Sequence, residues 1–480
     1  MLGRTLDDSF PPAIRRDVTT VTLARLCANA LYRYAGPFLA IIASGLDISI
    51  GELGLAITIA ELCGLASPVI GRFVDAVSRR LSMVVGLAGV AAGGMVTAAS
   101  PNVVVFTIGL FTLSLFKIVY DVGMGSWITD HVAFERRGRV VGLTETSWAL
   151  GLLVGVSTMG LITAVTSWQW GYATAAVAVA VMATRIWTRI DAEPTVAHRR
   201  SEVPDGPRPG VRDLGLERMG PSVRCGTVRS GLLRSPDKAA VMLGRLAYRL
   251  GNLVRGSGRP APVLESPVPV VANPASAPAP TARVPVTRAR LPLAGRLGVL
   301  GVLALSGASQ SLFVTFGAWL DDEFGIDTAV LAAITFGLGA LELAASGLST
   351  ARTDRWGKER SVIGGAVVMM VAAAAFVAAD ERLIVGLILI GLFIAGFEFA
   401  IVSVIPMGGD LVPGRPGQGL GYFLAATALG RSLTTVPATR LYEANGIVAC
   451  ALLGLLLAAG VAAAMAGRLR AGHRPQQTGS

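Results

Sequence analysis

Long uncharged runs of apolar residues constrain this sequence more than any other feature. The clearest are residues 297–320, 361–379 and 446–467, which contain no Asp, Glu, Lys or Arg. A helix that rises about 1.5 Å per residue needs about 20 such residues to cross the hydrocarbon core of a bilayer. Hydrophobic residues make up 52% of the 480 residues, charged residues only 15%, and the mean hydropathy is +0.61. This balance is that of a membrane protein and excludes a soluble globular domain.

The same reasoning along the whole chain predicts an all-α integral membrane protein with twelve transmembrane helices. Six predicted helices form an N-terminal bundle at 20–190 and six form a C-terminal bundle at 297–467, so that the two bundles are pseudo-repeats. Residues 1–19 and 468–480 are predicted tails, and 191–296 is a basic, proline-rich linker. The predicted helices are 20–44, 52–72, 81–99, 102–128, 140–164, 170–188, 297–320, 328–350, 361–379, 382–406, 417–438 and 445–467.

The basic residues predict the topology, because they follow the even-numbered helices whereas the other loops are poor in Lys and Arg. The positive-inside rule then places both termini and the linker in the cytoplasm of a multi-pass plasma-membrane protein. The linker holds 17 Lys and Arg against 8 Asp and Glu, which supplies most of the formal net charge of +11. Nucleic-acid binding is the competing explanation of this charge, but no nucleic-acid-binding motif accompanies it, so we predict no nucleic-acid partner.

Two similar charged stretches indicate an internal repeat. Residues 71–80, "GRFVDAVSRR", connect predicted helices 2 and 3, and residues 353–360, "TDRWGKER", connect helices 8 and 9. The triplet "AIT" precedes each stretch, at 56–58 and at 333–335. Parallel six-helix repeats related by an axis along the membrane normal form transporters with a central site between the halves. We therefore predict a transporter, and not an enzyme.

In these features the chain resembles the major facilitator superfamily, over nearly all of its length apart from 191–296. The loop signature of that family after helix 2 is G-x-x-x-D-R-x-G-R-R, which the first stretch matches except at Ala76 and Ser78. The second copy has Thr350 in place of the first glycine. The matching residues are Gly71, Asp75, Arg79 and Arg80 in the first copy, and Asp354, Arg355, Gly357, Lys358 and Arg360 in the second.

We interpret these loops as a cytoplasmic gate. Asp75 is expected to accept hydrogen bonds from the free N-terminal amides of a helix in the other half, where the helix dipole favours an anion. Arg79 and Arg80 are expected to pair with acids such as Asp130 and Glu135, and the alternative for both arginines is that they only set the topology. The predicted gate consists of Gly71, Asp75, Arg79, Arg80, Asp130, Arg137, Arg139, Glu145, Asp354, Arg355, Gly357 and Arg360. Glu145 is assigned to it because of the nearby Arg136–Arg139.

Ionisable residues inside the predicted spans are costly to bury, which makes them candidates for substrate binding or proton coupling. They are Arg33, Glu61, Lys117, Asp121, Glu342, Glu398 and Arg431. For Arg33, purely structural pairing is the alternative, and for Lys117 and Asp121, four residues apart, the alternative is that they neutralise each other. Arg25 lies near a helix end, so we expect it to extend towards the cytoplasm. In the resembling family, helix 4 often carries R-x-x-Q-G, and here Lys117 takes the place of its arginine.

The predicted function is secondary active transport of a small molecule by alternating access, coupled to protons. Export of a drug or metabolite is favoured by Gly151, Gly155 and Gly160, which partly match a helix 5 motif of antiporters in the resembling family. Uptake or export of an anionic metabolite through Arg33 and Arg431 is the first alternative. A non-transporting receptor or scaffold is the second. We predict no cofactor and no metal, and we expect a monomer.

The linker is predicted to contain two parts. Residues 237–256 place four leucines on one side of a helix, and they are expected to lie on membrane lipid. Residues 260–292 contain nine prolines and predict an extended connection. Disorder of the whole linker is the alternative.

Overall fold

The computed structural model describes residues 10–132, 134–191, 291–378, 382–412 and 416–472. All regular secondary structure in these ranges is helical. It forms twelve consecutive helices, α1–α12, so the predicted fold class and helix number are confirmed for this part of the chain. The predicted lipid-binding segment 237–256 lies outside the described residues.

The N-terminal half contains α1–α6, of which three are interrupted. Their bounds are α1, Pro12–Arg33 and Leu39–Gly45; α2, Ile50–Glu61, a 3-10 turn Leu62–Ala66 and Ser67–Ala76; α3, Arg79–Ala98; α4, Val103–His131; α5, Phe134–Leu150, a π-helical segment Gly151–Val156 and Ser157–Val165; and α6, Trp168–Arg189. The first helix begins at Pro12, ahead of the predicted residue 20.

The C-terminal half contains α7–α12. Their bounds are α7, Leu293–Phe313 and Phe316–Phe324; α8, Thr328–Trp356; α9, Lys358–Ala378; α10, Leu383–Val404 with a 3-10 turn Ile405–Asp410; and α11 and α12, 416–445 and 447–472, within the continuous segment Pro416–Gly472. Gly446 separates the last two helices, because its φ of 69° and ψ of −171° are not helical.

Most of these helices are long and apolar enough to span a membrane by themselves. In the described ranges eight segments meet this description, and the bent pair Leu39–Gly45 and Ile50–Ala66, at 108°, would add a ninth. One of the eight, Gly419–Ala471, is the segment that Gly446 divides into α11 and α12. The less apolar helices α1, α2 and α6 pack among the others. The chain is therefore a multi-pass membrane protein.

Local sequence explains where several helices start. Ser49 and Glu52 form a capping box at the start of α2, with hydrogen bonds of 3.1 and 2.9 Å. Asn102 accepts from two backbone amides at the start of α4, and Asp327 accepts from the Val330 amide at the start of α8. These residues satisfy amide groups that the first helical turn leaves without partners.

In the described residues, close contacts join the two halves on one side of the membrane and at its centre. We call the side of the Arg-rich loops the basic side, and the other the opposite side. On the opposite side Gly317 of α7 lies directly against the Pro37 carbonyl, and Gly339 of α8 lies against the Leu153 backbone of α5, with no room for a side chain. The Gly51 amide of α2 donates to Glu443 of α11 at 2.7 Å.

On the basic side several helical glycines have no close neighbour. A side chain at Gly71 in α2, Gly347 in α8 or Gly421 in α11 would meet no atom within 4 Å. The side chain of Asp75 is 74% exposed at the basic end of α2.

Candidate functional site

Two ion pairs connect the halves at the middle of the membrane. Arg33 in α1 donates from both terminal nitrogens to the Glu342 carboxylate in α8, at 2.8 and 2.6 Å. Arg431 in α11 donates to Glu61 Oε1 in α2, at 2.9 Å from Nε and 2.7 Å from Nη2. All four residues were predicted from their depth, and the structure brings them together as cross-half pairs. Because removal of one partner would leave an uncompensated buried charge, each of these residues depends on its partner in the other half.

A second charged cluster lies within the N-terminal half, towards the basic side. Lys117 and Asp121 of α4 pair at 2.6 Å, as their spacing suggested. Arg25 of α1 contacts Asp121 at 3.3 Å and Glu145 of α5 at 2.8 Å, and donates to the Thr144 carbonyl at 3.1 Å. The carboxylates are about one third exposed, so this cluster is partly accessible.

This cluster differs from our expectations for two residues. The side chain of Arg25 is only 11% exposed and pairs with two acids of its own half, so the expectation that it extends towards the cytoplasm was wrong. Glu145, about one third exposed, pairs with Arg25, a partner that we had not predicted. Sequence position alone missed this because it does not fix which faces of α1 and α5 meet.

Glu398 of α10 is the predicted deep acid that forms no ion pair within the described residues. It is 3% exposed, and its Oε1 accepts a hydrogen bond of 2.5 Å from the Ser346 hydroxyl of α8. Within the described residues its Oε2 is buried without a hydrogen-bond partner. Ser346 follows Glu342 by one turn of α8, which places Glu398 near the Arg33–Glu342 pair. Glu398 is thus an extra acid beside a cross-half ion pair.

Two aromatic residues that the sequence analysis did not single out lie among these charges. Tyr32 of α1 and Trp148 of α5 are half-buried, with ring centroids 6.3 Å apart. The cations Arg33, Lys117 and Arg431 lie 4.5, 6.0 and 6.0 Å from the Trp148 centroid. The available signal was that Tyr32 adjoins Arg33 and that Trp148 follows Glu145 by one helical turn. We call Tyr32, Trp148 and these three cations the central cluster.

The predicted gate residues of the first half form bonds within that half. Arg79 donates to Asp130 at 2.8 Å, as expected, and to Asp75 at 3.4 Å. Arg80 instead lies over the Trp187 ring at 4.3 Å and donates to the Trp187 carbonyl at 3.4 Å. The side chain of Glu135 lies outside the described residues. In the described part of the chain, the expected contact of Asp75 with helix amides of the other half is not formed.

The remaining gate residues lie at the ends of helices on the basic side. Arg137 donates to the carbonyls of Val132 and Thr129, at 2.8 and 2.6 Å, at the end of α4. Gly357 ends α8 with a φ of 87°, a conformation that favours glycine. The exposed residues are Arg139, Asp354, Arg355 and Arg360. These positions leave the gate prediction untested.

Twelve membrane helices in two halves around a buried charged centre, closed on one side, form the architecture of a membrane transporter. A family model described as Major Facilitator Superfamily matches residues 21–435. The chain therefore belongs to the major facilitator superfamily, a family of transporters that are not enzymes.

Similar proteins agree with this assignment. The chain is 27% identical over 171 residues to the putative uncharacterized transporter YgaY of Escherichia coli (strain K12), a match covering 35% of this chain and 43% of that protein. It is 26% identical over 153 residues to the uncharacterized MFS-type transporter YwfA of Bacillus subtilis (strain 168), covering 32% of this chain and 37% of that protein. Both matches span less than half of the relative.

Solved structures share the fold. A crystal structure of a bacterial homolog to the human lysosomal transporter Spinster, in an inward-facing and unoccupied conformation, aligns with a TM-score of 0.65 at 11% identity. The alignment covers 96% of this chain and 99% of that one. A D-xylose-proton symporter aligns with a TM-score of 0.60 at 13% identity, over 94% of this chain and 96% of that one. At this identity the likeness concerns the fold alone.

Proposed function

We propose that the protein is a proton-coupled secondary transporter that works by alternating access. The observation that carries the proposal is Glu398, a buried acid held by Ser346 and placed beside the ion pair Arg33–Glu342, which joins the two halves. A group that gains and loses a proton at such a position can change how firmly the halves are held. Proton binding and the opening of one side then become linked.

The positions of the halves support alternating access. Contacts of α1 with α7, α2 with α11, and α5 with α8 join them on the opposite side, and we infer that the basic side is the open one. The positive-inside rule assigns the basic side to the cytoplasm. In that topology, with both termini cytoplasmic in the plasma membrane, the conformation is open to the inside. Transport then requires both cross-half ion pairs to break when the opposite side opens.

The charges of the site support coupling through Glu398. Arg33 has Glu342 as its partner, while Glu398 lies near this pair. When Glu398 is ionised, its charge adds to that of Glu342 on the C-terminal half and attracts Arg33 of the other half, which strengthens the hold between the halves. When Glu398 takes up a proton, this attraction is lost, the halves are held less firmly, and the opposite side opens more readily. Glu61 is a second candidate for the acid that carries the proton. Its Oε1 accepts from Arg431, whereas its Oε2 is buried and has no hydrogen-bond partner in the described ranges.

The direction of transport remains a prediction. Export rests on the glycines of α5, but Gly151 and Gly155 also lie against Asn29 and Ala30 of α1, which explains them as packing residues. Transport of an organic anion is the second candidate, because three cations surround Trp148. Membership of a transporter family favours both over a receptor or scaffold.

Transport by the full-length protein in proteoliposomes tests the proposal, with a pH-sensitive dye inside and labelled organic anions, cationic drugs and sugars outside. We expect at least one compound to move protons, and Glu398→Gln to abolish this while substrate exchange continues. The control is Glu323→Gln, which removes an exposed acid on the opposite side. Equal proton movement in wild type and Glu398→Gln would refute the role of Glu398. Failure of every compound to cross would favour the receptor.

A further inference from the structure

The aromatic rings of the central cluster already have positively charged side chains of the protein at their faces, which argues against a binding site for a cation. Lys117 Nζ and the Arg431 guanidinium each lie 5.4 Å from the Tyr32 centroid and 6.0 Å from the Trp148 centroid. Arg33 lies 4.5 Å from the Trp148 centroid and 5.0 Å from the Phe313 centroid. The electron-rich ring faces that would attract a cationic ligand already interact with cations of the protein. A cationic ligand at this position would have to compete with three protein cations for the same ring faces.

Two of the three cations have capacity for a further partner. Arg33 is committed, because its side chain is 3% exposed and its terminal nitrogens bond to Glu342 and to the Trp148 carbonyl. Lys117 is 7% exposed, but it has three donors and a single bond, to the Asp121 carboxylate, which is 29% exposed. Arg431 uses Nε and Nη2 on a single oxygen of Glu61, and its side chain is 17% exposed. Its Nη1 can therefore donate to a second acceptor.

The rings supply the apolar part of the same site. Tyr32 and Trp148 are tilted by 54° to one another, and each is partly accessible. Aromatic side chains offer a large apolar contact area and favour offset or edge-to-face packing with another ring. A flat ligand that reaches the centre from the basic side meets these rings and the two cations together.

From this geometry we infer that the central cluster binds a planar aromatic anion such as an aromatic carboxylate, with its charge at Lys117 and Arg431 and its ring against Tyr32 and Trp148. The inference rests on the proposed transport function and names its substrate class. It moves the anion site from Arg33, named with Arg431 in the sequence analysis, to Lys117. A proton taken up by Glu61 would release Arg431 for the anion, so that proton and anion are bound together.

The inference is tested by binding to the purified full-length protein, measured by isothermal titration calorimetry. The probes are benzoate and indole-3-acetate, with benzamide, benzylamine and cyclohexanecarboxylate as neutral, cationic and non-aromatic controls. We expect the aromatic carboxylates to bind at least about tenfold more tightly than each control. Lys117→Gln and Trp148→Leu should each weaken binding at least about tenfold, whereas Lys117→Arg keeps the charge and retains it. Trp187→Leu, at the ring beneath Arg80 outside the cluster, is the matched control.

Two results would overturn the inference. One is tighter binding of benzylamine than of benzoate, and the other is transport of a compound of another class that is unaffected by Lys117→Gln. If the binding inference is right but the proposed transport function is wrong, aromatic carboxylates will bind through Lys117 and Trp148 without crossing the membrane or moving protons. Binding and proteoliposome transport are therefore measured on the same preparations.

Discussion

Arg33 and Glu342, 309 residues apart in the sequence, form a two-bond ion pair with N–O distances of 2.8 and 2.6 Å between the two halves of the protein. Their side chains are 3% and 1% exposed. Each residue is costly to bury alone, and each makes the other acceptable. The pair therefore links the stability of the protein to the contact between its halves.

A double-mutant cycle on this pair has a definite expected result. Arg33→Gln or Glu342→Gln alone leaves a buried charge, and each should lower the free energy of unfolding by about 3–5 kcal/mol. The loss of unfolding free energy in the double variant should be smaller than the sum of the two single losses, by about 1–3 kcal/mol. Reversible unfolding in mixed detergent measures all three, with Arg185→Gln on the exposed face of α6 as the control. Additive losses would mean that the pair does not couple the halves.

The deep charges could be predicted from the sequence, but their partners could not. Arg33, Glu61, Glu342 and Arg431 stand out because a charge within an apolar run is expensive. Which acid meets which base depends on the rotation of each helix and on the packing of the halves, neither of which the sequence specifies. The same gap explains Arg25, whose distance from the helix end suggested exposure although α4 and α5 supply acids beside it.

The aromatic members of the central cluster were missed for a different reason. Tyr and Trp are common in membrane helices, where most of them pack or lie at the interface. The neighbouring charges Arg33 and Glu145 are only a weak signal for Tyr32 and Trp148 until other helices bring Lys117 and Arg431 within 6.0 Å of the rings. By contrast, the fold follows from the apolar runs and the repeated loops, since helices are the structure that satisfies its own backbone inside a bilayer.

Glu443 on the opposite side should stabilise the closed contact between α2 and α11. It accepts from the Gly51 amide at 2.7 Å, at the positive end of α2. Because Glu443 is exposed, we expect Glu443→Gln to cost only about 1 kcal/mol, or roughly a fivefold rise in local hydrogen-exchange rate. Hydrogen exchange of residues 50–54 measures this, with Glu323→Gln as the control. Unchanged exchange would contradict a role for Glu443 in closing this side.

Two glycines of α8 give a matched test of the contact between α5 and α8. Gly339 lies against the Leu153 backbone, whereas a side chain at Gly337 would meet no atom within 4 Å. Gly339→Val should force the halves apart on the opposite side and slow transport at least about tenfold, while Gly337→Val should stay within about twofold of wild type. Distances between spin labels on α5 and α8 measure the separation. Equal behaviour of the two variants would contradict this contact.

Substitutions of Asp75 and Asp130 distinguish a role in the gate from a role in stability. Asp130 accepts a 2.8 Å bond from Arg79, whose side chain is 11% exposed, so Asp130→Asn should lower thermal stability. Asp75 is 74% exposed and lies 3.4 Å from Arg79, so Asp75→Asn should leave stability in this conformation nearly unchanged. If Asp75 binds helix amides of the other half when the basic side closes, its loss should slow transport at least about tenfold. Thermal unfolding and transport rate are measured for both variants. Wild-type transport by Asp75→Asn would remove Asp75 from the gate and leave it as an exposed residue of the loop.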